Sequence, residues 1–231
     1  MLFPVLADGE CAIWWATPRS YRSALDRLLD QAERVRVDAY RRPADRERSI
    51  LGAVVLRLAA AGELGVAPHE VIVRRDCPRC AEPHGRPELP GTGLHASISH
   101  SGDRVAVAVT RVGPVGVDVE KIDPGVDVAA LVRPVLGSAP PEDLVGMHVV
   151  WCRKEAVIKA TGDGLRASLP EVRVSPSAEP ARLVTYPDRP DLEASLTDLR
   201  PGDGYAGALA VLHRHAPVLR EYDASTLLDS V

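Results

Sequence analysis

From Arg104 to Glu120 the chain runs with a period of two, twice over. Arg104-Val-Ala-Val-Ala-Val-Thr110 alternates small and apolar residues, Gly113-Pro114 breaks it, and Val115 to Val119 resumes it. That repeat belongs to a strand, whose successive side chains point to opposite faces. β-branched valine at every second position favours the same conformation. In the second run Val117 and Val119 are predicted to enter a core, while Asp118 and Glu120 share the opposite face.

Around this segment the pattern changes repeatedly. Glu10 to Ala16 reads as a strand centred on Ile13, Trp14 and Trp15. Ser20 to Tyr40 reads as a helix, because Leu25, Leu28, Leu29, Ala32, Val35 and Ala39 keep three-to-four spacing. Pro43 stands where a second helix begins, and its stripe of Ile50, Val54 and Leu58 ends at Gly62 or Gly65. Val71 to Arg75 reads as a short strand and Asp76 to Gly93 as a loop. Ser97 to Gly102 is expected to be a polar turn.

Asp127 to Trp151 reads as broken helical pieces around Pro134, Pro140 and Pro141. Val149 to Ala160 is a helix closed by Gly162 and Gly164. Strands are expected at Glu171–Ser175, Arg182–Tyr186, Leu192–Leu196 and Tyr205–Leu212, with turns at Pro187-Asp188 and Pro201–Gly204. A plan of helices followed by antiparallel strands thus occurs twice. Arg104–Thr110 and Tyr205–Leu212 are candidate counterparts. This suggests a duplication with its seam near Gly113, giving an N-terminal half of residues 1–112 and a C-terminal half of 113–231.

Composition narrows the function classes. The 231 residues are 45% hydrophobic and 26% charged, ordinary for a soluble globular protein. A net charge of -4 argues against bulk nucleic-acid binding. The first residues lack a basic segment followed by an apolar run, so no secretory signal is read there. No stretch approaches the ~20 apolar residues of a membrane span. A cytoplasmic protein with reduced cysteines is expected.

Only three of the 28 basic residues are lysines, and all three lie in two short acidic stretches: Lys121 ends Gly116–Lys121, while Lys154 and Lys159 lie in Trp151–Lys159. Lysine is a compact point charge suited to a crowded phosphate site, and arginine a planar fork. Asp118 and Glu120 on one strand face offer oxygen ligands to a hard cation. Taken alone, they read first as the polar side of an edge strand, the commonest cause of such alternation. Glu155 and Lys159, four apart, share a helix face and taken alone form an ordinary surface pair. Ser97-Ile-Ser-His-Ser101 offers hydroxyls and an imidazole to phosphate oxygens. It is no hydrolase signature, as no Gly-x-Ser-x-Gly elbow is present. Neither Gly91-Thr-Gly93 nor Thr161–Gly164 is a phosphate-binding P-loop. Cys77 and Cys80 with His84 have the spacing of half a structural zinc site, although a loop of free thiols is the favoured reading.

Together these segments resemble the 4′-phosphopantetheinyl transferases, in their long Sfp-type branch. The family's Gly-x-Asp-x-Glu strand is matched by Gly116–Glu120, and its Trp-x-x-Lys-Glu-x-x-x-Lys helix by Trp151–Lys159. Its Ser-His element is matched at Ile98–Ser101 and its Gly-Lys/Arg-Pro turn at Gly85-Arg-Pro87. Its early-helix arginine is matched by Arg48, within Tyr40–Gly52. The resemblance runs from about Arg36 to Leu169.

It implies an α+β fold of two pseudo-symmetric α/β halves, each an antiparallel sheet packed by helices, with the active site in the cleft between them. It also implies transfer of the 4′-phosphopantetheine arm of coenzyme A to a serine of an apo acyl or peptidyl carrier protein, with release of adenosine 3′,5′-bisphosphate. Asp118, Glu120 and Glu155 would bind Mg²⁺ or Mn²⁺. Glu155 would be the general base, with a metal-bound water as the alternative. Lys159 would contact the phosphates, as would Lys154 unless it faces solvent. Arg48, Ser99 and His100 would hold the phosphates, and Arg86 would lie beside the adenine or 3′-phosphate. A monomer is expected, serving fatty acid, polyketide or nonribosomal peptide synthesis, with no nucleic acid or membrane partner.

One segment departs from the pattern. Many members carry Phe-Ser-x-x-Glu where this chain has Val135-Leu-Gly-Ser-Ala-Pro-Pro-Glu142. That region tends to receive the carrier, so the departure bears on carrier choice. The competing readings are a catalytically silent coenzyme A-binding or carrier-docking protein on the same fold, and a Mg²⁺-dependent phosphohydrolase.

Overall fold

The computed structural model describes residues 5–76, 85–125, 127–137 and 142–231. In chain order, its principal elements begin with β1 (Glu10–Ala16), α1 (Gln31–Asp38), α2 (Pro43–Leu64), β2 (His95–Ser101), β3 (Arg104–Thr110) and β4 (Val115–Lys121). There follow α3 (Val128–Leu131), α4 (Leu144–Thr161), β5 (Arg173–Val174), β6 (Leu183–Thr185), β7 (Ser195–Leu199), β8 (Tyr205–Val211), β9 (Val218–Asp223) and α5 (Ser225–Leu228). No helix among the described residues is long and apolar enough to cross a membrane.

The chain divides into two compact units. The first comprises Met1–Val112 with Pro217–Val231, the second Gly113–Ala216. The last fifteen residues, read in sequence with the second half, therefore lie in the first.

In the first unit the sheet order is β2-β3-β1-β9. The β2–β3 and β3–β1 pairs are antiparallel, and β9 adds in parallel to β1. The parallel edge departs from the purely antiparallel sheet expected. Trp14 of β1 stacks on Tyr222 of β9 at 4.5 Å between ring centres, and Trp15 Nε1 donates to Glu221 at 2.7 Å. Val218–Asp223 lacks a period-two pattern, since the exposed Arg220 and Glu221 are adjacent, so the sequence does not mark it as a strand.

The core of this unit is α2, buried at every residue from Ser49 to Ala61. A helix apolar on all sides must be covered on all sides. Pro43 starts it, and Gly65, at φ 67°, ends it in the left-handed conformation. The single helix expected over Ser20–Tyr40 is instead two short 3₁₀ turns and α1. The helix restarts at Asp30 because Asp30 accepts from Glu33 N while Glu33 accepts from Asp30 N, a reciprocal cap. Val71–Arg75 forms no strand beyond one bridge from Arg74 to Glu88. One reason is that the Val71 carbonyl is taken by the buried Arg57, Nη1 to O 2.7 Å.

In the second unit β4-β8-β7 forms an antiparallel sheet packed by α4, and β5-β6 forms a separate ribbon. Asp143 caps α4 by accepting from Gly146 N at 2.7 Å, so the helix begins five residues before the expected start. Gly162, at φ 74°, ends it. The family-like α+β plan of antiparallel sheets packed by helices is therefore present.

Candidate active site

The site begins with a glycine. A Cβ on Gly116 would stand 2.0 Å from Ala156 O, 2.5 Å from Ala160 N and 2.9 Å from Lys159 Cβ. Only a residue without a side chain lets the backbone of α4 come so close to β4. Asp118 and Glu120 share the Gly116 side of the strand, so they too face α4. Val117 and Val119, on the other face, are fully buried.

This approach fixes the charged groups. Lys159 reaches from the last turn of α4 to Asp118, Nζ to Oδ1 2.6 Å, and to Val117 O at 3.2 Å. Asp118 is 2% exposed, which rules out the solvent-facing edge that alternation alone allowed. Glu155, one turn before Lys159, has its pKa raised by burial and by the Asp118 charge, against the pull of Lys159. Burial also pushes the Cys152 thiol well up, with further contributions from Asp118, which accepts a hydrogen bond from it, and from Glu120. Asp118, Glu155 and Lys159 thus act on one another across the contact of β4 with α4, and Cys152 feels both Asp118 and Glu120. As they stand, no group of three His, Cys, Asp or Glu side chains among the described residues is drawn close enough to hold a metal ion.

Lys154 lies elsewhere. It is buried, and its Nζ donates to Val135 O and to Leu169 O, the latter at 3.0 Å. Burial, aided by Arg173, lowers its pKa to about 8. Its charge is spent on carbonyls of the single π-helical turn Val132–Leu136 and of the loop after α4, not on solvent.

In the first unit, Arg48 of α2 meets the β2–β3 turn. Its Nη1 donates to Gly102 O at 2.9 Å, and it pairs with Asp45. Ser97 to Ser101, expected as a turn, is strand β2. Only Gly102 and Asp103 turn, with Gly102 at φ 52°. The pattern hid the strand because Ser97 and Ser99 occupy buried positions. Arg48 therefore stands at the His100 end of β2, with Ser99 buried nearby on the strand. Arg86 does not join them. It pairs with Glu88 at 3.3 Å and its charge lowers the His95 pKa, second to burial, which places it towards the opposite end of β2. The Cys77, Cys80 and His84 assignment lies outside the described residues.

A family model of the 4′-phosphopantetheinyl transferase superfamily matches residues 114–210, which include both β4 and α4. The 4′-phosphopantetheinyl transferase HetI of Nostoc sp. is 31% identical over 219 residues, covering 89% of this chain and 89% of that protein. The chain belongs to the 4′-phosphopantetheinyl transferase superfamily. The transferase psf-1 of Bacillus pumilus is 30% identical over 168 residues, 68% of this chain and 67% of its own. A Bacillus subtilis 4′-phosphopantetheinyl transferase is 31% identical over 137 residues, 54% and 56%. These relatives place the chain in the Sfp-type branch, and it is an enzyme of the phosphopantetheinyl transferase class.

Sequence reasoning missed three features of this phosphopantetheinyl transferase site. Gly116 belongs to the strand motif, and its steric role goes beyond it; a glycine inside a strand pattern is the usual sign of a close backbone approach. Cys152, three residues before Glu155 and seven before Lys159, was on the same helix face all along. Arg153 is fully buried: Nε donates to Asp198 at 2.8 Å, Nη1 to Ser175 O at 2.9 Å and to Pro176 O at 2.7 Å, and Nη2 to Glu179 O at 2.9 Å. It ties α4 to the 175–179 turn. No sequence signal separates it from the other arginines. The variant segment ends in a similar anchor, since Glu142 accepts from Ser177 N at 2.9 Å and from Ser177 Oγ at 2.6 Å.

Proposed function

We propose that this enzyme moves the 4′-phosphopantetheine arm of coenzyme A to a serine of an apo acyl or peptidyl carrier protein and releases adenosine 3′,5′-bisphosphate. Asp118, Glu120 and Glu155 would hold Mg²⁺ or Mn²⁺. The observation that carries this reading is Asp118 and Glu155 brought to Lys159 where α4 crosses Gly116, with Glu120 on the same face of β4.

The donor set fits a hard divalent cation: three carboxylates supply oxygen ligands, and burial with the Asp118 charge already raises the Glu155 pKa, a conflict that a cation relieves. A bound cation would stabilise negative charge on the pyrophosphate. Lys159 would bind phosphate oxygens as a point charge from the side of Asp118. Glu155 would take the proton of the carrier serine, directly or through water. The serine oxygen forms a bond to the phosphorus bearing the pantetheine arm, and the bond from that phosphorus to the bridging oxygen breaks. The electron pair leaves with adenosine 3′,5′-bisphosphate. Arg48, Ser99 and His100 would hold coenzyme A phosphates and Arg86 the adenine side. Lys154 would support the site from within, since its ammonium is occupied by two carbonyls. We further place the enzyme in the cytoplasm as a monomer.

The test is the intact mass of apo acyl and peptidyl carriers after incubation with the protein, coenzyme A and Mg²⁺. A gain of one phosphopantetheine, abolished by EDTA, is expected. Asp118→Asn should lower the rate on the order of 10²-fold, and Lys159→Arg should be damaging as well. Coenzyme A binding without transfer to any carrier would instead make the protein a silent binder. Full activity in Asp118→Asn would remove the metal assignment.

A further inference from the structure

The second unit holds a cavity of about 140 Å³ that no step above uses. Its walls are apolar: Leu136 comes from the π-helical turn, Val150 from α4, Val174 from β5 and Val184 from β6. Leu136 and Val150 are buried while Val184 is exposed, so the cavity has a covered floor and an open mouth.

Three charged residues also line it: Glu142, Lys154 and Arg173. They do not balance. Both carboxylate oxygens of Glu142 are occupied by Ser177, through its backbone N–H at 2.9 Å and its hydroxyl at 2.6 Å. The Arg173 side chain, exposed on β5, has no hydrogen bond or ion pair among the described residues. Lys154 is 1% exposed, and the groups that its ammonium holds are the neutral carbonyls of Val135 and Leu169. Carbonyls satisfy an ammonium without cancelling its charge, and the charge that acts on it from nearby is the like charge of Arg173. A cation withdrawn from water with no opposite charge beside it is costly. Two cations thus face one occupied carboxylate, and the lining carries an excess positive charge.

We propose that this cavity binds a short aliphatic carboxylate. Its tail lies on Leu136, Val150 and Val174, and its carboxylate meets Arg173 at the mouth, with Lys154 adding attraction from the floor. Apolar walls with a few convergent charges are the usual make-up of a small-ligand site. Size sets the tail at about four to six carbons, since an apolar cavity of about 150 Å³ takes a benzene ring. A guanidinium fork matches a carboxylate with two parallel hydrogen bonds. A phosphate would leave oxygens unmet, because Arg173 is the one guanidinium in the lining. Nothing in the inference requires coenzyme A, a metal or a carrier, so it stands apart from the transferase reading.

The experiment titrates hexanoate, up to about 10 mM, into the full chain by calorimetry with no coenzyme A, metal or carrier present. Saturable binding is expected. Hexan-1-ol, which has the tail without the charge, should bind about tenfold more weakly or worse, and acetate, which has the charge without the tail, should not saturate. Arg173→Gln should weaken hexanoate about tenfold and leave hexan-1-ol unchanged. Val184→Phe, which fills the mouth, should exclude both. Both positions are exposed, so these variants should keep the wild-type Tm. No saturable hexanoate binding, equal affinity for hexanoate and hexan-1-ol, or wild-type affinity in Arg173→Gln overturns the proposal. Displacement of hexanoate by an apo carrier protein overturns it too, as the cavity would then be a carrier contact. A protein that binds hexanoate but modifies no carrier upholds this proposal and removes the transferase reading alone.

Discussion

Replacing Gly116 with alanine tests the geometry of the active site at its narrowest point. The added Cβ would lie 2.0 Å from Ala156 O and 2.5 Å from Ala160 N. Both are backbone atoms of α4, so neither can rotate away. Restoring ordinary contact near 3.4 Å requires the helix to retreat by about 1.4 Å. Overpacking of this kind costs about 3 kcal/mol, at the upper end of its usual range, as the whole element must move. For a chain of this size that is a fall in Tm of about 6–12 °C.

The same retreat stretches the 2.6 Å contact of Lys159 with Asp118 and separates Glu155 from the strand carboxylates. Activity per folded molecule should therefore drop along with stability. Thermal unfolding and the initial rate of carrier modification measure the two effects separately. Gly52→Ala is the control. Its Cβ would meet the Cγ2 methyl of Ile98 at 2.7 Å, a side-chain atom and not helix backbone, and its helix propensity gain of about 1 kcal/mol offsets part of that strain. A Gly116→Ala enzyme with the Tm and rate of the wild type would refute the close approach of α4 to β4.

Two further outcomes follow from buried charge. Arg153→Met should cost about 1–3 kcal/mol, read from denaturant unfolding, because the carbonyls of Ser175, Pro176 and Glu179 lose their common donor while Asp198 is left in solvent; Arg153→Lys should rescue little of this. Asp163 has its pKa lowered: burial, which would raise it, is outweighed by hydrogen bonds from Tyr186 and Thr161 and by the charges of Arg189 and Arg166. Its contribution to stability is thus complete above the ordinary carboxyl value of 3.8 and is lost as pH falls below that through the lowered value. Tyr186→Phe, which removes the 2.6 Å bond to Asp163, should flatten the acid limb of a stability–pH curve, and an unchanged limb would dismiss the linkage.

Much of the frame was legible because periodicity is a local signal. The strands Glu10–Ala16 and Arg104–Thr110 fall where alternation put them, and Gly65 and Gly162 end their helices with positive φ. What escaped the reading depended on distant partners. β2 carries serines at buried positions, satisfied by its place in a sheet, and so resembled a turn. β9 exists because β1 offers it an edge, more than a hundred residues away in sequence. α1 was merged with the turns before it, because apolar spacing continued through a cap that only the Asp30–Glu33 pairing reveals. At the site, residue types and spacing named Asp118, Glu120, Glu155 and Lys159. They did not show that Lys159 pairs with a strand carboxylate, nor that Lys154 turns inward. Adjacent residues on a helix face different neighbours, and sequence does not say which neighbours are there.

The return of the chain to its first unit has a consequence for how the protein is made. β9 and α5 complete a sheet and a core begun at the N-terminus, Leu227 and Leu228 being buried among the side chains of α2 and β1. During synthesis the first 112 residues leave the ribosome with the open edge of β1 unpaired. They must wait for the intervening 113–216 to emerge before the final strand can close it. Residues 113–216 are contiguous and can collapse as soon as they are made. The order of assembly should therefore be the reverse of the order of synthesis. A nascent chain stalled before Val218 would present an unprotected strand edge, the place where a chaperone or another copy would bind first.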